Sequence, residues 1–253
     1  FCEKPDPMAL AEEFEKSGNW LFKKRSYIPV ALYVAVTAVI ILERDELYDF
    51  HNLYWNLGCF AISVLGMIIR ALTIGYTPRG TSGRNTSEGQ VAERLNTKGM
   101  YSLVRHPLYL GNFFMWLGLI LYAGTPWFVV FSIAFFWIYY ERIMFAEEQF
   151  IRSKFGADYL EWSSQIPAFF PGFRKWQKPE LSFSLRNVLK REYSGFFGTI
   201  FSFAYINFIK NFFLADQVWL DFKWQIAGAA GFVVFIVLRS LKKYTRVLHV
   251  EGR

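Results

Sequence analysis

Long apolar blocks alternate with polar connections along this chain, and the blocks, rather than an amphipathic rhythm, determine its class. Six stand out, at about residues 27–42, 54–74, 108–123, 126–145, 195–215 and 224–238. A helix needs roughly 17–25 predominantly apolar residues to cross the hydrocarbon core of a bilayer. The second, fourth and fifth blocks meet that length, while the first, third and sixth need help from their flanks. Backbone amides in lipid must bond within their own segment, so the blocks predict helices rather than strands. The expected fold is an all-α integral membrane protein with about six transmembrane helices. Gly124-Thr125-Pro126 leaves room only for a tight turn, which predicts a helical hairpin over 108–145.

The polar connections give an orientation. Lys23, Lys24 and Arg25 precede the first block, whereas Glu43, Arg44, Asp45, Glu46 and Asp49 make the next connection acidic. The connection at 75–106 carries Arg79, Arg84, Arg94, Lys98 and Arg105 against Glu88 and Glu93. Asp216 and Asp221 follow the fifth block, and Arg239, Lys242, Lys243 and Arg246 follow the sixth. Every second connection is basic, so positive-inside bias predicts cytoplasmic N- and C-termini. Three parts follow: a cytoplasmic lead-in (1–26), a membrane core (27–173), and a surface connection with two further helices (174–253).

Composition agrees, with 53% hydrophobic and 20% aromatic residues. The formal net charge of +7 sits where positive-inside bias puts it, so no nucleic-acid partner is expected. Cys2 and Cys59 fall on opposite sides of the predicted bilayer, and no disulfide is expected. His51, His106 and His249 are scattered, which predicts no metal site. No cleavable signal sequence is expected. Within the blocks, Arg70 and Lys210 stand near opposite membrane faces, where each can snorkel towards water.

Chemistry concentrates between Gly99 and Pro171. Gly99-Met100-Tyr101-Ser102-Leu103-Val104-Arg105-His106-Pro107-Leu108-Tyr109-Leu110-Gly111 precedes the hairpin. Glu147-Glu148, Phe155-Gly156-Ala157-Asp158-Tyr159 and Ile166-Pro167 to Phe170-Pro171 follow it. Pro107 suits the first turn of a helix, and the residue before it is pushed out of helical geometry. Arg105, the free amides and the helix dipole favour a carboxylate or phosphate at that helix start. Gly111 and Gly118, seven apart, permit close approach of a second helix or of a flat ring. Glu147 and Glu148 suit an amine or ribose hydroxyls, or are a solvated helix face. Arg142 adds a basic group beside them.

The pattern Gly-x-Tyr-x-x-Val-Arg-His-Pro-x-Tyr-x-Gly, hairpin, Glu-Glu, then Phe-Gly-x-x-Tyr and Pro resembles the isoprenylcysteine carboxyl methyltransferase and phospholipid methyltransferase superfamily. The resemblance covers about residues 92–173. It implies S-adenosylmethionine as methyl donor, bound at the cytoplasmic ends of the helices by Arg105, His106, Tyr109, Gly111, Glu147 and Glu148, with Tyr101 and Val104 as nearby wall. It also implies a lipid or lipid-linked acceptor. The Thr81–Thr86 stretch (81–86) adds a weaker resemblance to bacterial methyltransferases acting on lipid A phosphate.

The basic connection favours an anionic acceptor, hence O-methylation of a phosphate or carboxylate, with Arg79, Arg84 and Arg142 as acceptor-binding candidates. Rival readings are N-methylation of a phospholipid amine, an NADPH-dependent enzyme resembling the sterol reductases, and a non-enzymatic membrane protein. The bacterial inner membrane and the endoplasmic reticulum are equally compatible locations.

Overall fold

The computed structural model describes residues 10–25, 27–44, 52–81, 84–86 and 89–253. Cys2, Asp45, Glu46, Asp49, His51, Ser82, Gly83, Ser87 and Glu88 lie outside the described residues, as does the side chain of Arg84.

Among the described residues seven α-helices follow one another: α1 (Leu10–Lys24), α2 (Ile28–Leu42), α3 (Leu53–Tyr76), α4 (Pro107–Ala123), α5 (Pro126–Gln165), α6 (Leu185–Leu214) and α7 (Phe222–Tyr244). A small antiparallel pair, β1 (Arg84–Thr86) and β2 (Gly89–Val91), folds the polar connection between α3 and α4. By length and composition α3, α5, α6 and α7 can cross a membrane, and the chain is an all-α, multi-pass membrane protein. Against the expectation of six crossings, four helices among the described residues are long and apolar enough, and two apolar ones, α2 and α4, are shorter. At 1.5 Å per residue, the 15 residues of α2 and 17 of α4 reach about 22 and 26 Å, short of a hydrocarbon core of about 30 Å. Apolar side chains on the outer faces are left for lipid, among them Val130 and Phe131 on α5 and Val233 and Val234 on α7.

The hairpin forms as its residues dictate. Gly124 takes a left-handed conformation (φ 98°) that stops α4, and Pro126 starts α5. The α3–α4 contact is the most extensive in the bundle, and small residues permit it. Gly111 lies against Gly66, while Gly118 lies against the Cys59 carbonyl and Ser63; a Cβ at either position would collide with the facing helix. Ser63 Oγ also donates to the Met115 carbonyl at 2.8 Å. Gly111 and Gly118 therefore serve helix packing, and neither borders a slot for a flat ring.

Two charged residues do not snorkel. Arg70 is held by Glu192 of α6, with Nε 2.6 Å from Oε2 and Nη2 2.8 Å from Oε1. Lys210, 1% exposed, donates from Nζ to the Tyr122 carbonyl at 2.6 Å. Carbonyls in the last turn of a helix lack intrahelical partners, so this lysine on α6 satisfies the end of α4. Nearby, Asn207 and Asn211 each donate to the Asp221 carboxylate at 3.0 Å, which ties α6 to the start of α7.

Helix α5 is 40 residues long and carries the hairpin well past the bilayer-length block. Gly156 interrupts it with φ 54° and ψ −118°, a conformation that side-chain-bearing residues rarely adopt. The break redirects the last turns of α5 back over the start of α4.

Candidate active site

The segment before α4 is held by backbone pairing. The amides of Arg105 and His106 donate to the carbonyls of Pro167 and Ala168, at 2.9 and 3.2 Å, and Gly172 donates to the Leu103 carbonyl at 2.8 Å. The proline-containing tail after α5 thus fixes the Arg-His-Pro turn. It also consumes two of the amides that the sequence offers to an anion. His106, kept out of helical geometry by the following proline, becomes the N-cap residue of α4 (φ −120°, ψ 61°).

His106 then meets α5. Its Nε2 is 2.8 Å from Glu148 Oε1, and its Nδ1 is 3.7 Å from Glu147 Oε2. Arg105 Nε lies 3.1 Å from the same Glu148 oxygen, and Nη1 donates to the Ser163 carbonyl at 3.1 Å. Tyr109 stacks on His106 with ring centroids 5.6 Å apart, and Tyr159, brought back by the Gly156 break, lines the same cavity as Glu147 and Glu148. Glu147 is 6% exposed, so it is no solvated helix face.

These groups line one end of a cavity of about 440 Å³, a size common for small-molecule sites. Leu108, Met115, Trp116 and Tyr140 form apolar and aromatic wall further in, with Arg70 and Asn112 beside them. Trp162 covers the site from the end of α5, its Nε1 donating to the Tyr101 carbonyl at 3.3 Å.

Of the residues singled out by sequence, Tyr101, Arg105, His106, Tyr109, Glu147 and Glu148 meet at this cavity. Val104 is fully buried beneath it, in the cluster with Phe136 and Phe169, and Gly111 faces α3 instead. Of the three arginines proposed for the acceptor, Arg79 and Arg142 do not line this cavity, and the side chain of Arg84 lies outside the described residues. Arg79 is exposed, its amide bonded to the Gly252 carbonyl. Arg142 secures α1, with Nη1 3.0 Å from Ser17 Oγ and its guanidinium 4.5 Å above the Phe14 ring. Arg84 lies in β1. Sequence reasoning passed over Asn112, Tyr140 and Trp162; Tyr159 was visible in the Phe-Gly-x-x-Tyr pattern but had no assigned role.

Burial acts to lower the His106 pKa, but hydrogen bonds that the imidazolium donates to Glu147 and Glu148, with their charges, outweigh it, and the imidazole is raised above its ordinary value. A raised folded-state value contributes stability that is fully present below the unfolded value of about 6.5 and is lost as pH rises through the folded one. The thermal midpoint of the ligand-free protein is therefore expected to fall as pH is raised from about 6 towards 9. His106→Asn should flatten that fall, as read by thermal scans across the series.

Residues 57–158 match the family described as phospholipid methyltransferase. The chain is 27% identical over 146 residues to Protein-S-isoprenylcysteine O-methyltransferase B of Arabidopsis thaliana, covering 55% of this chain and 73% of that protein. It is 27% identical over 115 residues to Protein-S-isoprenylcysteine O-methyltransferase of Saccharomyces cerevisiae, covering 46% of this chain and 48% of the relative. The Tribolium castaneum protein of that name is 26% identical over 136 residues, 50% of this chain and 46% of its own. The match thus spans about half the length of the yeast and beetle relatives. No solved structure matches the chain significantly. The chain is a homologue of the isoprenylcysteine and phospholipid methyltransferase superfamily, whose methyl donor is S-adenosylmethionine.

Proposed function

We propose that this chain is an S-adenosylmethionine-dependent methyltransferase that O-methylates a lipid-linked carboxylate. The observation that carries the reading is a cavity that joins a charged end around His106, Glu147 and Glu148 to an apolar end around Met115 and Trp116.

The donor set fits the cofactor. Arg105 Nε is buried and has no aligned hydrogen bond, which suits it to a cofactor carboxylate. Glu147 and Glu148 provide acceptors for an ammonium and for ribose hydroxyls, and the aromatic ring of Tyr109 borders the same space. Bound S-adenosylmethionine supplies an electrophilic methyl group on a sulfonium. The chain's own contribution is placement: Arg105 and the two glutamates fix one end, while Trp116 and Tyr140 exclude water from the other. A carboxylate acceptor is already ionised at neutral pH, so no residue need remove a proton first.

The carboxylate reading is favoured over the phosphate one because Arg79 is exposed away from the cavity, and because the similar proteins are named for isoprenylcysteine. Two carboxylates at the charged end disfavour a polyanion such as NADPH. Titration calorimetry on the purified full chain should show S-adenosylmethionine binding and no NADPH binding. Binding of NADPH alone would overturn this reading.

We also propose that α2 and α4 cross with their flanking residues, giving six crossings with the cavity's charged end and both termini on the cytoplasmic side. The support is the alternation of basic and acidic connections, including Lys23 and Lys24 before α2 and Lys242 and Lys243 at the end of α7.

A further inference from the structure

At the inner wall of the cavity, four side chains from four helices form one directed hydrogen-bond chain. Glu192 of α6 takes Arg70 Nε and Nη2 with both oxygens. Arg70 Nη1 donates to Asn112 Oδ1 at 2.7 Å and, more weakly, to the Leu108 carbonyl at 3.4 Å. Asn112 Nδ2 in turn donates to Tyr140 Oη at 2.9 Å.

The direction is set by charge. A guanidinium only donates, so it fixes the Asn112 amide with its oxygen towards Arg70, and the amide nitrogen then makes Tyr140 Oη an acceptor. Three donors remain unused by these bonds: an Nη2 hydrogen of Arg70, an Nδ2 hydrogen of Asn112 and the hydroxyl proton of Tyr140. All three residues line the cavity, next to Met115 and Trp116. Glu192 cancels the Arg70 charge, so the patch offers hydrogen-bond donors without a net positive trap.

We propose that Arg70, Asn112 and Tyr140 form the subsite that receives the acceptor's carboxylate oxygens, and that Glu192 is a positioning residue for it. The inference rests on the methyl-transfer reading and supplies its acceptor contacts. It also gives α6, which lies beyond the stretch matched to the family, a part in the active site. Tyr109 connects the two ends: its ring is 5.6 Å from His106 and 4.9 Å from Tyr140.

The test uses the full chain in nanodiscs, with an S-prenylcysteine bearing a free carboxylate and its carboxamide analogue as probes. Binding of each is measured directly, without cofactor, and KM and kcat are measured separately. Tyr140→Phe removes one donor without altering shape. The paired Arg70→Met, Glu192→Leu variant removes the charge pair while leaving neither partner alone. The wild type should prefer the carboxylate, and both variants should lose about 10- to 100-fold of that preference. The loss should appear in acceptor KM, with S-adenosylmethionine affinity unchanged. Variants that keep both the preference and the acceptor KM would overturn the subsite while leaving methyl transfer intact. A wild type that binds no S-adenosylmethionine but prefers the carboxylate would instead retain the subsite and sink the methyltransferase reading.

Discussion

Replacing Glu147 and Glu148 together by glutamine is expected to weaken S-adenosylmethionine binding by about 100-fold or more, in a protein that still folds. Glutamine keeps the volume and one acceptor oxygen at each position but removes both charges facing His106 and Arg105. A buried hydrogen bond to a charged group contributes about 1.5–3 kcal/mol, and the two proposed contacts, to the cofactor's ammonium and its ribose hydroxyls, are weakened at once. Each single change should cost about tenfold or somewhat more. Calorimetry checks this, with the thermal midpoint as the control for folding. Equal affinity in wild type and double variant would mean that the glutamates serve only to hold His106.

The second large effect is on stability. Glu192 is 3% exposed and is the carboxylate that faces Arg70 inside the bundle. Glu192→Ala leaves a guanidinium in the interior without its counter-charge, and removing one partner of a buried pair costs about 3–5 kcal/mol. The combined Arg70→Met, Glu192→Leu variant should recover most of that loss, because neither charge is then left unpaired. Unfolding in mixed micelles measures both. If Glu192→Ala were as stable as the wild type, α6 would not be anchored to α3 through this pair.

How far the sequence reveals this molecule differs from residue to residue. Arg105, His106, Tyr109, Glu147 and Glu148 were picked out by the resemblance to the methyltransferase pattern, and they share one cavity because Pro107 starts α4 and the tight Gly124-Thr125-Pro126 turn returns the chain to the same end. The apolar blocks gave the helices, but α5 runs 20 residues beyond its block, since amphipathic helix can continue outside lipid without an apolar run.

Arg70 and Lys210 were misread as snorkelling residues for a different reason. Glu192 lies 122 positions from Arg70, and the Lys210 partner is a backbone carbonyl of Tyr122, which no side-chain pattern announces. The acceptor candidates failed similarly. Arg79 and Arg142 are basic and fall on the expected side, but charge along a connection does not say which residue turns inward. Asn112 and Tyr140 became visible only when α4 and α5 were placed against α3.

The most direct measurement is methyl transfer itself. Purified full chain in nanodiscs is incubated with S-adenosylmethionine labelled in its methyl group and an S-prenylcysteine bearing a free carboxylate, with phosphatidylethanolamine vesicles as the amine comparison. The account predicts label in the prenylcysteine as an ester released by mild base, and none in the amine lipid. Base-stable label in phosphatidylethanolamine, with the carboxylate acceptor left unlabelled, would contradict it.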